Sequence, residues 1–107
     1  MTITLKDKVA VITGAGHGIG RASALEFAGA GATLVLGDVN PDTVSGVADE
    51  VRATGARALA MTCDVTSAEQ VTALVHAARD QYGRLDVLFN HAGGSSSGPI
   101  HELSDEE

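Results

Sequence analysis

Val9-Ala10-Val11-Ile12-Thr13-Gly14-Ala15-Gly16-His17-Gly18-Ile19-Gly20 carries a short apolar run straight into a loop studded with glycine, and residues 21–30 then read as a helix. The order strand, glycine loop, helix gives the glycine spacing its meaning, because a phosphate site needs all three parts. One glycine turns the chain sharply off the strand, a second lets bare backbone approach a diphosphate, and a third lets helix and strand pack closely. The first turn of the helix then offers unpaired N–H groups and a partial positive charge. The alternative is a tight glycine turn with no ligand.

Working outward, three more apolar runs follow that of residues 8–13, at residues 32–37, 58–63 and 85–90. Each is a continuous block of Val, Leu, Ile, Ala, Met or Phe and not an alternation, the pattern of strands covered on both faces. Helices separate them. Asn40-Pro41 supplies a cap residue and then proline at the first helical position, where its missing N–H costs nothing. This helix is expected to end before Gly55. The next opens on Thr66-Ser67-Ala68-Glu69, read as a capping box, and ends before Gly83. Val71, Leu74, Val75 and Ala78 form one apolar stripe along it, placing His76 on its outer surface. Alternating β and α elements predict a three-layer α/β domain with a parallel sheet in the order 3-2-1-4. The glycine loop then lies at the carboxyl edge of the sheet, beside its switch point.

Composition narrows the function classes. The 107 residues suffice for one domain with a core, and 44% hydrophobic with 20% charged content is globular. Net charge is −7, and no basic stripe suits nucleic acid or an anionic membrane. No stretch reads as a secretion signal or a membrane span, so the expected location is cytoplasmic. Cys63 is the single cysteine, expected to pack as a small hydrophobe in a reducing compartment. His17, His76, His91 and His101 are scattered, and no metal-ligand spacing occurs.

Candidate ligand-holding groups cluster at the strand ends. Asp38 closes the second strand, 18 positions after Gly20. A carboxylate there accepts from ribose 2′- and 3′-hydroxyls and repels a 2′-phosphate. Val39 follows it, with no adjacent Lys or Arg, which favours NAD over NADP; a protonated His17 would leave NADP open. Asp38 also reads as an ordinary turn acid. On the ribose reading, Asp38→Ala should weaken NAD binding and leave ligand-free melting nearly unchanged. Asp64 and Val65 end the third strand, where the carboxylate suits an adenine amino group and the valine an apolar wall. Asn90-His91-Ala92-Gly93 ends the fourth, with small residues that admit the nicotinamide-side ribose. The run Gly93-Gly94-Ser95-Ser96-Ser97-Gly98 reads as a flexible loop.

Together these residues resemble the short-chain dehydrogenase/reductase family. Its TGxxxGxG motif is met by Thr13, Gly14, Gly18 and Gly20, with Gly16 a frequent extra. Its second-strand acid is met by Asp38, its Asp–Val pair by Asp64 and Val65, and its NNAG motif by Asn90, Ala92 and Gly93, with His91 replacing the second Asn. The resemblance implies a Rossmann-type domain, cut from a doubly wound fold, that binds NAD, with Gly14, Gly16, His17, Gly18, Ile19, Gly20, Asp38, Val39, Asp64, Val65, Asn90, Ala92 and Gly93 around it. It implies hydride transfer to or from an alcohol or ketone and a homo-oligomer for the full-length form. The family's catalytic Ser and Tyr-x-x-x-Lys do not occur here. The single tyrosine is Tyr82, with Asp86 four positions on. No catalytic residue is therefore expected in residues 1–107, which read as a partial dinucleotide-binding domain without a substrate half. Ser104-Asp105-Glu106-Glu107 reads as a helix start, suggesting a longer chain, or else as an acidic tail. Val87-Leu88-Phe89 is expected to form an exposed apolar edge. The competing reading is a stand-alone, non-catalytic dinucleotide-binding module or subunit.

Overall fold

All five residues of β1 (Val9–Thr13) and all six of β2 (Thr33–Asp38) are buried, as continuous apolar runs demand. Side chains alternate across a strand. Ala10 and Ile12 therefore pack with Leu34 and Leu36 against Ala24 and Ala28 of α1 (Gly18–Gly29) and Val44, Val47, Ala48 and Val51 of α2 (Pro41–Ala53). Val9, Val11 and Val35 face the other way, onto Cys63 and onto Leu74 and Ala78 of α3 (Ala68–Tyr82). Helix, sheet and helix make three layers. The computed structural model describes residues 4–16 and 18–90, with the backbone alone at Asn90 and over residues 100–102.

β3 (Ala58–Thr62) pairs parallel with β2, β2 with β1, and β1 with β4 (Val87–Asn90), giving the expected order 3-2-1-4. Two expectations are corrected at the sheet's margins. A fifth strand, β5 (Ile100–Glu102), pairs antiparallel with β4, matching Val87 with Glu102 and Phe89 with Ile100. The edge is thus covered, and Val87 and Phe89 are each only 7% exposed. β4's unpaired N–H and C=O groups attract any extended segment within reach, which apolar patterning alone does not reveal. At the opposite edge, β3 is half-buried along most of its length and not covered on both faces.

Local chemistry sets most helix ends. Asn40 Oδ1 accepts from Asp42 N at 2.9 Å and Thr43 N at 3.2 Å, with Pro41 next in line. Gly83 ends α3 in the left-handed region, φ 81°. The α3 cap, however, is Ser67 and not Thr66. The N–H and hydroxyl of Thr66 both donate to Asp64 Oδ1, at 2.9 and 2.7 Å, which turns this side chain back toward Asp64, and Ser67 Oγ accepts from Gln70 N.

At the amino end of the sheet, Asp86 fastens β1 in place. Its Oδ2 accepts from Val9 N and Arg84 Nε, both at 2.8 Å, and its Oδ1 from Arg84 Nη2 at 2.7 Å. Burial opposes the charge, but the Arg84 guanidinium, the Val9 N–H and Lys8 together hold the carboxyl below its usual range. Asp86→Ala is expected to cost about 1–3 kcal/mol in urea denaturation at neutral pH, because a backbone donor loses its acceptor. With the folded-state pKa depressed, the carboxylate's contribution is whole above an unfolded value of about 3.9 and fades as pH falls through the folded one. The gap between variant and parent should therefore narrow in acid; a gap independent of pH would rule out the charge as its source.

Candidate functional site

The glycine loop leaves β1 at Gly14, whose φ is 65°, a conformation open to glycine at little cost. Two hydrogen bonds tie the loop to β2: Ala15 N donates to Gly37 O at 3.0 Å, and Gly16 N to Asp38 Oδ2 at 2.8 Å. α1 starts at Gly18, three residues earlier than expected, so the last glycines of the motif form its first turn. Their N–H groups have no partners within the helix. A Cβ on Gly20 would lie 2.0 Å from Gly14 O, which is the close packing predicted for the third glycine. A Cβ on Gly18 would meet nothing within 4 Å, so the chain leaves open space there.

Asp38 is only 3% exposed. Besides Gly16 N, it accepts from Asn40 N, through Oδ1 at 3.1 Å. Cys63 N donates to Asp38 O at 2.8 Å, bringing the ends of β2 and β3 side by side and placing Asp64 near Asp38. The Thr66 hydroxyl, then the Thr66 N–H, holds the Asp64 carboxyl below its ordinary pKa. Val65 beside it is half-buried. Cys63 is buried, and that burial, with Asp64 and Asp38 adding to it, pushes the thiol's pKa up, as expected of a packed cysteine and not of a reactive one.

Among the described residues, the large hydrophobic side chains left exposed are Ile19 at 55% and Val39 at 60%. Both were candidates on sequence, and both lie at the carboxyl end, one in the first turn of α1 and one beside Asp38. Open space at Gly18, two uncovered apolar side chains and a carboxylate at the end of β2 suit a dinucleotide's mixture of phosphate, ring and sugar. Thr13 pairs with Asn90 across β1 and β4, which brings Asn90 to the same end. The Asn90 side chain, His17, His91, Ala92 and Gly93 lie outside the described residues. So do the glycine–serine run of residues 93–98 and the helix start proposed for residues 104–107.

A pocket of about 420 Å³ opens at the other, amino end of the strands, lined by Lys6, Arg57, Tyr82 and Arg84 among others. The carboxyl ends of the helices converge there, and basic side chains complement them. Arg57 sits 5.2 Å over the Tyr82 ring. Tyr82 is therefore remote from the glycine loop. His76 is exposed on α3, as expected. Among the described residues no three His, Cys, Asp or Glu side chains gather as a metal site, and no helix is long and apolar enough to cross a membrane.

Parallel sheet order, three layers and the glycine loop after β1 define a Rossmann-type α/β domain. The profile of the short chain dehydrogenase family matches residues 8–107, and the chain belongs to that family. It is 43% identical over 98 residues to 7α-hydroxysteroid dehydrogenase of Escherichia coli K12, covering 92% of this chain and 38% of that protein. It is 40% identical over 99 residues to the uncharacterized oxidoreductase YxbG of Bacillus subtilis, covering 92% and 36%. Among solved structures, a 7α-hydroxysteroid dehydrogenase complexed with NADH and 7-oxo glycochenodeoxycholic acid superposes with a TM-score of 0.83 at 44% identity, covering 87% of this chain and 36% of that one. A Burkholderia phymatum short chain dehydrogenase/reductase in complex with NAD gives 0.81 at 44%, covering 85% and 32%. The chain thus spans 36–38% of the length of these two curated relatives.

From sequence Asn40 is read only as a helix cap and Thr43 is not singled out, although the cap and the first turn behind it closely follow the acid of β2.

Proposed function

We propose that this chain is the NAD-binding portion of an oxidoreductase that moves a hydride between a nicotinamide cofactor and an alcohol or ketone carbon. The observation that carries this reading is the joint exposure of Ile19 and Val39 on either side of the loop tied to Asp38. When bound, the nicotinamide supplies or accepts the hydride. The chain's own residues hold the cofactor. The first-turn N–H groups from Gly18 to Gly20 face the diphosphate. Asp38 accepts from the adenosine ribose, and Val39 and Val65 flank the adenine, whose amino group Asp64 accepts. Asn90, Ala92 and Gly93 border the nicotinamide-side ribose, with Gly14, Gly16, His17 and Ile19 completing the mouth.

In this reading residues 1–107 form a partial domain of a cytoplasmic homo-oligomer. The proton-transferring Ser and Tyr-x-x-x-Lys lie outside these residues, and the chain alone is inactive. Calorimetric titration with NAD and NADP tests it. NAD should bind at least about tenfold more tightly, a difference of about 1.4 kcal/mol. No heat with either dinucleotide, or tighter binding of NADP, would sink the assignment. A non-catalytic dinucleotide-binding module is the second reading, favoured by the position of Tyr82 under Arg57, far from the loop. It predicts NAD binding that persists in the native full-length gene product with no ketone-dependent NADH oxidation.

A further inference from the structure

The glycine loop is braced from a side that its motif does not mark. Gly16 is buried, and a Cβ built on it would stand 2.5 Å from Thr43 Oγ1 and 2.8 Å from Asp38 Oδ2. The α-carbon of Gly16 therefore rests in the angle between a hydroxyl and a carboxylate. Thr43 lies in the first turn of α2 and donates its hydroxyl proton to Asn40 O at 3.2 Å. With its proton used there, the hydroxyl oxygen offers lone pairs to the Gly16 Cα–H side. Asn40 in turn gives its N–H to Asp38 Oδ1 and caps α2 with its side chain. Hydroxyl, cap and carboxylate form one unit that joins the end of β2, the start of α2 and the glycine loop.

We propose that Thr43 is a positioning residue for the sugar that Asp38 receives, an inference that rests on the ribose reading of Asp38. Thr43 backs Gly16, so that the Gly16 N–H stays on Asp38 Oδ2 while Asn40 N–H holds Oδ1. Two fixed donors set the plane of the carboxylate, and that plane decides whether two vicinal ribose hydroxyls can both reach it. The ligand chemistry concerned is a 5′-phosphorylated adenosine, the half of the dinucleotide nearest β2. Thr43 is itself exposed, so changing it leaves the core intact.

Two measurements on Thr43→Ala and Thr43→Ser test the inference. In ligand-free protein, amide hydrogen exchange at Gly16 should quicken about tenfold in Thr43→Ala and stay within about twofold in Thr43→Ser. By calorimetry, Kd for NAD and for AMP should rise about three- to tenfold in Thr43→Ala, with nicotinamide mononucleotide unaffected and Thr43→Ser close to the parent. Unchanged exchange at Gly16, unchanged AMP affinity, or an equal loss for nicotinamide mononucleotide overturns the inference while the ribose reading stands. Failure of the unsubstituted chain to bind either NAD or AMP defeats the ribose reading and this inference with it.

Discussion

Gly20→Ala is expected to abolish NAD binding and to remove a large part of the fold's stability. The added Cβ would lie 2.0 Å from Gly14 O and 2.7 Å from Gly14 C, both backbone atoms that cannot rotate away. Alanine gains about 1 kcal/mol over glycine as a helix former. Overpacking costs about 1–3 kcal/mol and more where the neighbour is backbone that cannot give way, so the clash outweighs that gain. The first turn of α1 must move off the end of β1, and its N–H groups move with it. Against a total stability of about 5–15 kcal/mol for a domain, a net loss of about 2–3 is large. Urea denaturation and NAD calorimetry check both halves. A variant that unfolds like its parent would show that the helix start has room the geometry denies.

Asp38→Ala should give the second large effect, and not the clean one that the motif suggests. Sequence reading expects NAD affinity to fall while ligand-free melting barely changes. The hydrogen bonds of Asp38 lead to a different expected outcome, because its Oδ2 accepts from the buried Gly16 N–H and its Oδ1 from Asn40 N–H. Orphaning one buried donor costs about 1–3 kcal/mol, and the part-buried second one adds less because water can reach it. The ligand-free protein should therefore unfold about 2–4 kcal/mol more easily, while NAD affinity also falls. Asp38→Asn keeps one acceptor but turns an N–H₂ toward one of the two donors, so it should recover only part of the loss. Ligand-free stability equal to the parent in Asp38→Ala would mean that these two hydrogen bonds contribute nothing. On the proposed reading, scaffold and ligand roles coincide in Asp38.

Much of this architecture was legible because it rests on local rules. The apolar runs at residues 8–13 and 32–37 contain most of the fully buried strands β1 and β2, and Asn40-Pro41 became the cap and first residue of α2. The stripe of Val71, Leu74, Val75 and Ala78 faces the sheet as its spacing requires. The α3 cap slipped by one residue: Thr66 turns its hydroxyl back onto Asp64, and Ser67 Oγ receives the Gln70 N–H. β5 was not legible at all. Ile100-His101-Glu102 has no strand signature, and its pairing follows from the unsatisfied edge of β4.

The candidate site divides in the same way. The glycines of the loop, the acid of β2 and the pair Asp64–Val65 could be placed from sequence because each follows the end of an apolar run. That the acid also clamps the loop is not readable, since Gly16 and Asp38 stand 22 positions apart. Gly37 tells a similar story. It looks like one more strand residue, yet a Cβ there would lie 2.8 Å from Leu74 Cδ2 and 2.9 Å from Cys63 Cβ, so α3 packs where only glycine leaves room.

By itself, the order of residues determined the alternation of strands and helices, the layer arrangement and the place of a glycine loop between β1 and α1. Torsional preference and hydrophobic period act over a few residues, and these features need nothing more. Tertiary structure alone decided that Asp38 holds the glycine loop, that Thr43 stands beside Gly16, and that β4 has a neighbour. Those outcomes depend on which donor meets which acceptor once the sheet's register is set, and register is a property of the assembled strands.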